Sequence, residues 1–148
     1  MSTTFTTPIR IFKRNNPTNN GTIAPDNTGA AVCTQQKAIV GGVASVITIP
    51  AGAIIHEILA YVSTAAGSPS ATNVSLNGTT VATLSDAAGI NTGTLAAGQA
   101  ALLSNIGTSD LPLSYTAGAS AVGTLSVTYT PRNPDGSIIA VGSGYTNN

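Results

Sequence analysis

The dipeptide Asn77-Gly78 constrains the fold of this chain more than any other local feature. It separates two short runs, 73–76 and 79–84, which consist mainly of small, β-branched and apolar residues. Asn and Gly accept the positive φ angles of a two-residue type I′ turn at little cost, and such a pair between two strand-like runs is the strongest short-range signal for a hairpin. The sequence therefore predicts an antiparallel β-hairpin that turns at these two residues.

Similar short runs recur along the chain, and turn residues separate them. Ala, Gly, Thr and Ser make up half of the 148 residues, whereas charged residues make up 7 %. β-branched residues favour strands, and Gly, Pro, Asn and Ser favour turns. Strands at intervals of roughly 8–12 residues with turns between them are typical of an antiparallel sandwich or barrel. The predicted strands cover residues 8–12, 32–34, 38–40, 44–49, 54–64, 73–76, 79–84, 111–115, 123–130 and 137–141.

Alternation within the two longest predicted strands indicates which side chains share a face. In the strand 54–64, Ile58, Ala60 and Val62 lie on one face and Tyr61 on the other, because side chains alternate along a strand. The strand 123–130 shows the same pattern, with one face formed by Leu125, Val127 and Tyr129.

The segments outside these strands set the predicted domain organisation. Residues 15–29 are rich in Asn, Thr, Pro and Gly and contain few apolar side chains, so we expect 1–30 to be an extended N-terminal arm. The remainder, 31–148, is expected to be a single β-sandwich domain. Within it, 85–98 is predicted to be a loop region with room for one short strand, followed by a helical turn at 96–103.

Charge is distributed unevenly, although the formal net charge is zero. Three of the five basic residues fall in the first fourteen positions, whereas the segment 38–123 contains three acidic residues and no Lys or Arg. A basic, partly apolar arm is suited to bind an acidic partner surface by strand addition. It is equally consistent with a strand of the same sandwich whose charges are solvated. The candidate partner-binding residues are Ile9, Arg10, Ile11, Phe12, Lys13 and Arg14.

Composition excludes several classes of protein. The 42 % content of hydrophobic residues argues against intrinsic disorder, and five basic residues are too few for a nucleic-acid-binding face. A single cysteine allows no intrachain disulfide. The start of the chain lacks the pattern of a secretory signal, and no stretch reaches the roughly 20 apolar residues of a membrane-spanning helix. We therefore expect a soluble chain that binds neither nucleic acid nor membrane.

Residues with catalytic potential are few. A hydrolase would use His56 as a base for a serine or for Cys33, with Asp86 or Asp110 orienting the imidazole. No nucleophile-elbow motif supports this arrangement. Since neighbouring residues on a strand point to opposite faces, His56 and Glu57 are not expected to cooperate. We therefore expect no catalytic residues and no enzymatic activity.

Ligands for a metal ion or a cofactor are equally scarce. The acidic residues are far apart in sequence, and the glycine pairs lack the lysine and following helix of a phosphate-binding loop. Asp86 and Asp110 could still meet at one end of a sandwich and hold a calcium ion. Turn or capping roles explain both residues more simply. The sequence therefore predicts no metal and no cofactor.

Several segments together resemble small β-rich structural proteins of tailed bacteriophages. The resemblance lies in the strand and turn at 47–55 (ITIPAGAII), the strand 57–65 (EILAYVSTA), the hairpin 74–78 (VSLNG) and the late strand 123–129 (GTLSVTY), and it covers about 43–130. Within that group the chain is similar to capsid decoration, or cement, proteins. The resemblance implies a β-sandwich or jelly-roll-like body, a homotrimer, the major capsid protein as partner, and a position on the exterior of a capsid that is assembled in the host cytoplasm.

Two further functions are possible besides this leading hypothesis. A tail or head fibre, or an adhesin domain, would recognise a host receptor through loops at one end of the sandwich. Sugar-binding sites usually present exposed aromatic rings, and Tyr115 and Tyr145 are the candidates nearest to loops. An enzyme is the hypothesis that the sequence favours least.

Overall fold

The computed structural model of the chain describes residues 32–132, which form two packed antiparallel sheets. The elements are β1 (Cys33–Val40), β2 (Ser45–Ile49), β3 (Ile54–Thr64), β4 (Ala71–Leu76), β5 (Thr79–Ser85), β6 (Gly89–Thr92), β7 (Thr94–Leu95), a 3₁₀ turn (Ala97–Gln99), α1 (Ala100–Ser104), β8 (Leu111–Tyr115) and β9 (Val122–Thr130). The first sheet has the strand order β1-β9-β3-β6, and the second has the order β2-β8-β4-β5-β7. The prediction of an all-β antiparallel sandwich is confirmed.

The strand pairing defines a jelly roll. β4 pairs with β5, β3 with β6, β2 with β8 and β1 with β9, and these pairs fall alternately in the second and the first sheet. The chain is thus one long antiparallel ribbon that is wrapped into two sheets. The ribbon turns at Asn77 and Gly78, whose φ angles of 47° and 83° fit the predicted two-residue turn.

The core lies between the two sheets and is built from small aliphatic side chains. Ile58, Ala60 and Val62 of β3 and Leu125 and Val127 of β9 are buried, so the faces that their alternation defined are the core-facing ones. Each fully buried Ile, Leu or Val stabilises the fold by about 1.5–3 kcal/mol relative to exposure. A chain with few aromatic residues can therefore still form a continuous core.

One edge of the sandwich, where β1 and β2 lie next to each other in different sheets, is closed by side-chain hydrogen bonds. The Ser45 hydroxyl donates to the Ala38 carbonyl at 2.8 Å, and the Gln35 amide donates to the Thr48 carbonyl at 3.1 Å. The Gln35 amide also donates to the Tyr129 hydroxyl at 2.6 Å.

The two predicted strands at 32–34 and 38–40 are parts of one continuous strand, β1.

The predicted loop region at 85–98 contains two short strands, where room for one was expected. β6 belongs to the first sheet and β7 to the second. Gly93 lies between them, and its N–H donates to the Ile58 carbonyl at 2.7 Å. A Cβ at this position would lie 2.9 Å from that carbonyl oxygen, so glycine allows the chain to pass close to β3 as it changes sheets. The predicted helical turn is confirmed as the 3₁₀ turn and α1.

Several predictions fall outside the described residues. These are the N-terminal arm at 1–30, the strands at 8–12 and 137–141, and the part of the sandwich domain beyond 132.

Candidate functional site

Four of the seven large hydrophobic side chains that are exposed within residues 32–132 lie on the outward surface of the first sheet. We call this surface the outer face. Strand register aligns its side chains in rows across β1, β9, β3 and β6. One such row consists of Ala38, Thr124, Tyr61 and Ile90, and the next consists of Gln36, Ser126, Leu59 and Thr92.

Apolar side chains gather at one end of the outer face. Val40 and Val122 are paired on β1 and β9, and Tyr61 and Ile90 are paired on β3 and β6. Their exposed fractions are 55 %, 51 %, 41 % and 71 %, respectively. We call these four residues the apolar band. A contiguous exposed apolar cluster of this kind is more informative than scattered single residues, because such clusters mark contact surfaces.

The opposite end of the outer face is polar. A β-bulge at His56 makes both His56 and Glu57 solvent-exposed, so the prediction that they point to opposite faces is wrong. The His56 Nε2 atom lies 2.7 Å from the Thr130 hydroxyl oxygen. Thr34 and Thr128 extend this polar end across β1 and β9, with 3.4 Å between their hydroxyl oxygens.

β9 packs closely against β3 at Gly123, which shares a core-facing row with Ile39 and Val62. A Cβ at Gly123 would collide with the Tyr61 carbonyl oxygen, so only glycine permits this approach. Ser126, in the row with Leu59, is only 4 % exposed although it belongs to the outward set of β9. The outer face is therefore a surface of small residues from which Tyr61 and Ile90 project.

The groups of the hypothetical hydrolase are not brought together. Cys33 packs against the core, whereas His56 is exposed on the outer face. The two aspartates that could have oriented the imidazole bind backbone groups elsewhere. Within residues 32–132, the only side chain that hydrogen-bonds to the His56 ring is Thr130. The arrangement contains a hydroxyl next to an imidazole but no carboxylate to orient that imidazole.

Asp86 ties three loop segments together and is completely buried. Its Oδ1 atom accepts a hydrogen bond from the Ser70 N–H at 2.6 Å, and Oδ2 accepts one from the Gly118 N–H at 2.8 Å. Its backbone carbonyl accepts a third from the Ala66 N–H at 3.2 Å. We call this arrangement the Asp86 clasp. A buried carboxylate is tolerated here because backbone donors satisfy both of its oxygens.

Asp110 lies at the other end of the second sheet. Asp86 directly follows Ser85, the last residue of β5, and Ser85 pairs with the first residue of β4. Asp110 directly precedes β8 and lies near the last residue of β4. The Asp110 Oδ1 atom accepts a hydrogen bond from the Ala51 N–H at 2.8 Å. The hypothesis that the two aspartates meet to hold calcium is therefore wrong. Residues 32–132 contain no group of three or more His, Cys, Asp or Glu residues that could hold a metal ion.

Tyr115 is fully buried, and its hydroxyl has no hydrogen-bond partner among residues 32–132. Burial, together with the negative charge of Asp86, raises the pKa of Tyr115 to about 12. The suggestion that Tyr115 presents an exposed ring to a sugar is therefore wrong. The other aromatic candidate, Tyr145, lies outside the described residues.

A shallow depression of about 320 Å³ lies between β3 and α1. Its lining consists of apolar side chains and one hydroxyl side chain. Small-molecule sites normally add several convergent polar groups to an apolar pocket, and this depression does not. The lining residues are Ile54, Ile55, Leu95, Ala96, Ala97, Ala100, Leu103 and Ser104.

The candidate residues at 9–14 lie outside the described part of the chain.

The sequence predicted only part of the apolar band. Alternation placed Tyr61 opposite the core-facing residues of β3, but Ile90 lies in a segment that looked like a loop. The pairing of Val40 with Val122 joins residues 82 positions apart, and no local pattern specifies such a pair.

Comparison of the chain with protein-family models, with curated proteins and with solved structures gives no match. No helix within residues 32–132 is long and apolar enough to cross a membrane.

Proposed function

We propose that this chain is a virion structural protein that binds the outer surface of a phage capsid and stabilises the shell by bridging major capsid protein subunits. The observation that carries the proposal is the outer face: a jelly roll without an assembled catalytic constellation in residues 32–132 presents a low, almost uncharged surface with an apolar band. Such a surface is suited to extended contact with other proteins. The resemblance at 47–55, 57–65, 74–78 and 123–129 indicates the capsid as the setting.

The proposal assigns attachment to the basic N-terminal segment. Arg10 lies between Ile9 and Ile11, and the pair Lys13-Arg14 follows Phe12. The segment thus combines positive charge with apolar side chains, and strand addition to an acidic edge on the capsid protein would use both features. Repetition of one weak contact over a shell produces strong overall attachment, because each bound copy raises the effective concentration of the next contact. In this role the protein acts as a homo-oligomer, for which the resemblance suggests a trimer, on the exterior of the capsid.

Low charge fits a dense array of identical copies. Of the five charged residues between 32 and 132, Asp86 is buried and Glu57 lies at the polar end of the outer face. Neighbouring copies of such a body have little like charge to repel them. The alternative role, a fibre or adhesin domain, loses one of its two aromatic candidates because Tyr115 is buried.

The direct test is the copy number of this chain in purified virions of the phage that encodes it, relative to the major capsid protein. A ratio near one, or near a simple fraction of one, is expected for an array on the shell. A few copies per particle would support the fibre alternative instead, and absence from virions would refute both roles.

Deletion of residues 1–16 tests the attachment segment separately. We expect the truncated protein to keep its sheet structure, measured by circular dichroism, and to bind purified undecorated capsids more weakly in a co-sedimentation assay. A matched control replaces Arg10, Lys13 and Arg14 with Gln and keeps the apolar side chains. Binding of the truncated protein at the level of the intact chain would contradict the assignment.

A further inference from the structure

We propose that the apolar band of the outer face is the contact surface between two copies of this chain. The inference goes beyond capsid attachment, because it concerns contacts among copies and requires no capsid.

Contiguity of the band is the first argument. Tyr61 and Ile90 are directly paired across β3 and β6, as are Val40 and Val122 across β1 and β9. Thr124 is the residue of β9 paired with Tyr61, and Val122 lies two positions from it on the same face. Tyr61 and Val122 are therefore diagonal neighbours, a separation that an aromatic side chain can span. The four side chains form one surface that crosses all four strands.

Charge indicates what kind of partner fits. Ala38 and Thr124, which share a row with Tyr61 and Ile90, are uncharged, and so is Thr64, the β3 residue paired with Val122. Burying a partner's charge against this surface would leave that charge without compensation, which is costly. A second copy presents the same neutral surface and avoids this cost. Glu57 stays at the polar end of the outer face, away from the band.

The size of the face is adequate for such a contact. Four strands at a spacing of about 4.8 Å and a nine-residue β9 with a rise of about 3.3 Å per residue give an area of roughly 500 Å². A standard protein interface buries about 800 Å² on each partner. The outer face is therefore of the right order for a specific contact of modest affinity.

A two-fold axis gives this contact a defined geometry. In a closed pair, each copy uses the same patch, whereas a trimer joins two different patches of neighbouring copies, so this contact is separate from the trimer that the resemblance suggests. An axis in the plane of the contact, which passes between β9 and β3 and is inclined to the strands by roughly 25°, relates the row of Tyr61 and Ile90 to the adjacent row of Val40 and Val122, two residues further along the strands. Ile90 of one copy then lies over Val40 of the second, and Tyr61 lies close to Val122. The apolar residues of the band are thus covered by other apolar residues of the band.

The test is the self-association of the purified full chain without capsids, measured by sedimentation equilibrium over a wide range of concentrations. We expect the unmodified chain to associate and Ile90→Lys to weaken the association constant about tenfold or more, since a lysine would have to be desolvated against an apolar side chain. The matched control is Thr83→Lys, because Thr83 is also solvent-exposed but lies on the second sheet. It should associate like the unmodified chain.

A charge-pair experiment tests the geometry. Val40→Glu alone should also weaken association, and an equimolar mixture of Ile90→Lys and Val40→Glu should restore it, because the two-fold arrangement places the new charges against each other. Circular dichroism and thermal melts establish that both variants are folded. A chain that is monomeric at every concentration, an Ile90→Lys variant that associates like the unmodified chain, or a mixture that shows no recovery would each overturn the inference. Attachment to capsids is measured separately, by the copy number in virions and by the deletion of residues 1–16.

Discussion

The Asp86 clasp and the apolar band break the ordinary rule of burial in opposite directions within a few residues of chain. Asp86 is a charged side chain with no exposed surface, and Ile90, four residues later, is an apolar side chain with 71 % of its surface exposed. The carboxylate is buried because it satisfies backbone donors of two loops. The isoleucine is exposed because β6 is an edge strand and its alternate residues face outward.

This contrast assigns the two regions different roles: the clasp stabilises the fold, and the band is available for association with other molecules. Buried polar groups and exposed apolar clusters are the informative exceptions in a folded protein. The clasp holds loops of this chain to one another, whereas the band has nothing in residues 32–132 to cover it. We therefore expect substitutions in the clasp to change the free energy of unfolding, and substitutions in the band to change contacts with other molecules.

The largest expected effect is that of Asp86→Ala. Removing the carboxylate leaves the N–H groups of Ser70 and Gly118 without their acceptors, and each unsatisfied buried donor costs about 1–3 kcal/mol. We expect the free energy of unfolding to fall by about 3 kcal/mol or more, measured by chemical denaturation.

Asp110→Ala is the matched control for that substitution. Asp110 also accepts a backbone hydrogen bond, but its side chain is exposed and water can replace it. The expected loss is about 1 kcal/mol. Equal losses for the two substitutions would show that the clasp has no special importance and would remove the contrast with the band.

A smaller effect on the free energy of unfolding is expected from Tyr115, whose pKa is affected by burial and by the negative charge of Asp86. Its pKa is raised from 10 to about 12. Above pH 10 the phenol ionises in the unfolded chain but stays protonated in the folded one. Because the folded state then binds more protons, the free energy of unfolding should fall as the pH rises from 10 to about 12.

Tyr115→Phe should remove this contribution to the pH dependence, whereas Tyr61→Phe should leave it in place. At neutral pH we expect Tyr115→Phe to be neutral or slightly stabilising, because the hydroxyl that it removes has no hydrogen-bond partner in the described part of the chain. Denaturation curves measured over this pH range test both statements. An unchanged pH slope in Tyr115→Phe would mean that this phenol does not titrate differently in the folded state.

Local signals in the sequence were sufficient for much of the fold. The turn at Asn77 and Gly78 needs nothing beyond its own residues, and the alternation in β3 and β9 indicates which side chains share a face. The strand β1 was seen only in parts, because Gln35, Gln36 and Lys37 interrupt its apolar pattern. These residues lie at a sheet edge, where polar side chains are tolerated and Gln35 bonds across to the second sheet.

The candidate site depends on long-range pairing, which local patterns do not contain. The apolar band exists because β1 and β9, and β3 and β6, become neighbours when the ribbon is wrapped. Similarly, Asp86 was expected to fill an ordinary turn or capping role. Its burial results from the convergence of loops that end near Ser70 and Gly118, and this convergence follows from the jelly-roll topology rather than from the residues beside Asp86.

The smallest expected change in stability is that of Ile90→Lys, and it separates the two regions most sharply. Ile90 is largely exposed in the isolated chain, so its replacement removes little buried surface. We expect the free energy of unfolding of the monomer to change by no more than about 0.5 kcal/mol, measured by denaturation at a concentration low enough to suppress association. Asp86→Ala serves as the opposite reference, since it should lower stability without changing the chemistry of the band. If Ile90→Lys destabilised the monomer as strongly as Asp86→Ala does, Ile90 would have to pack within its own chain, and the apolar band would be part of the folded core rather than a surface for a second copy.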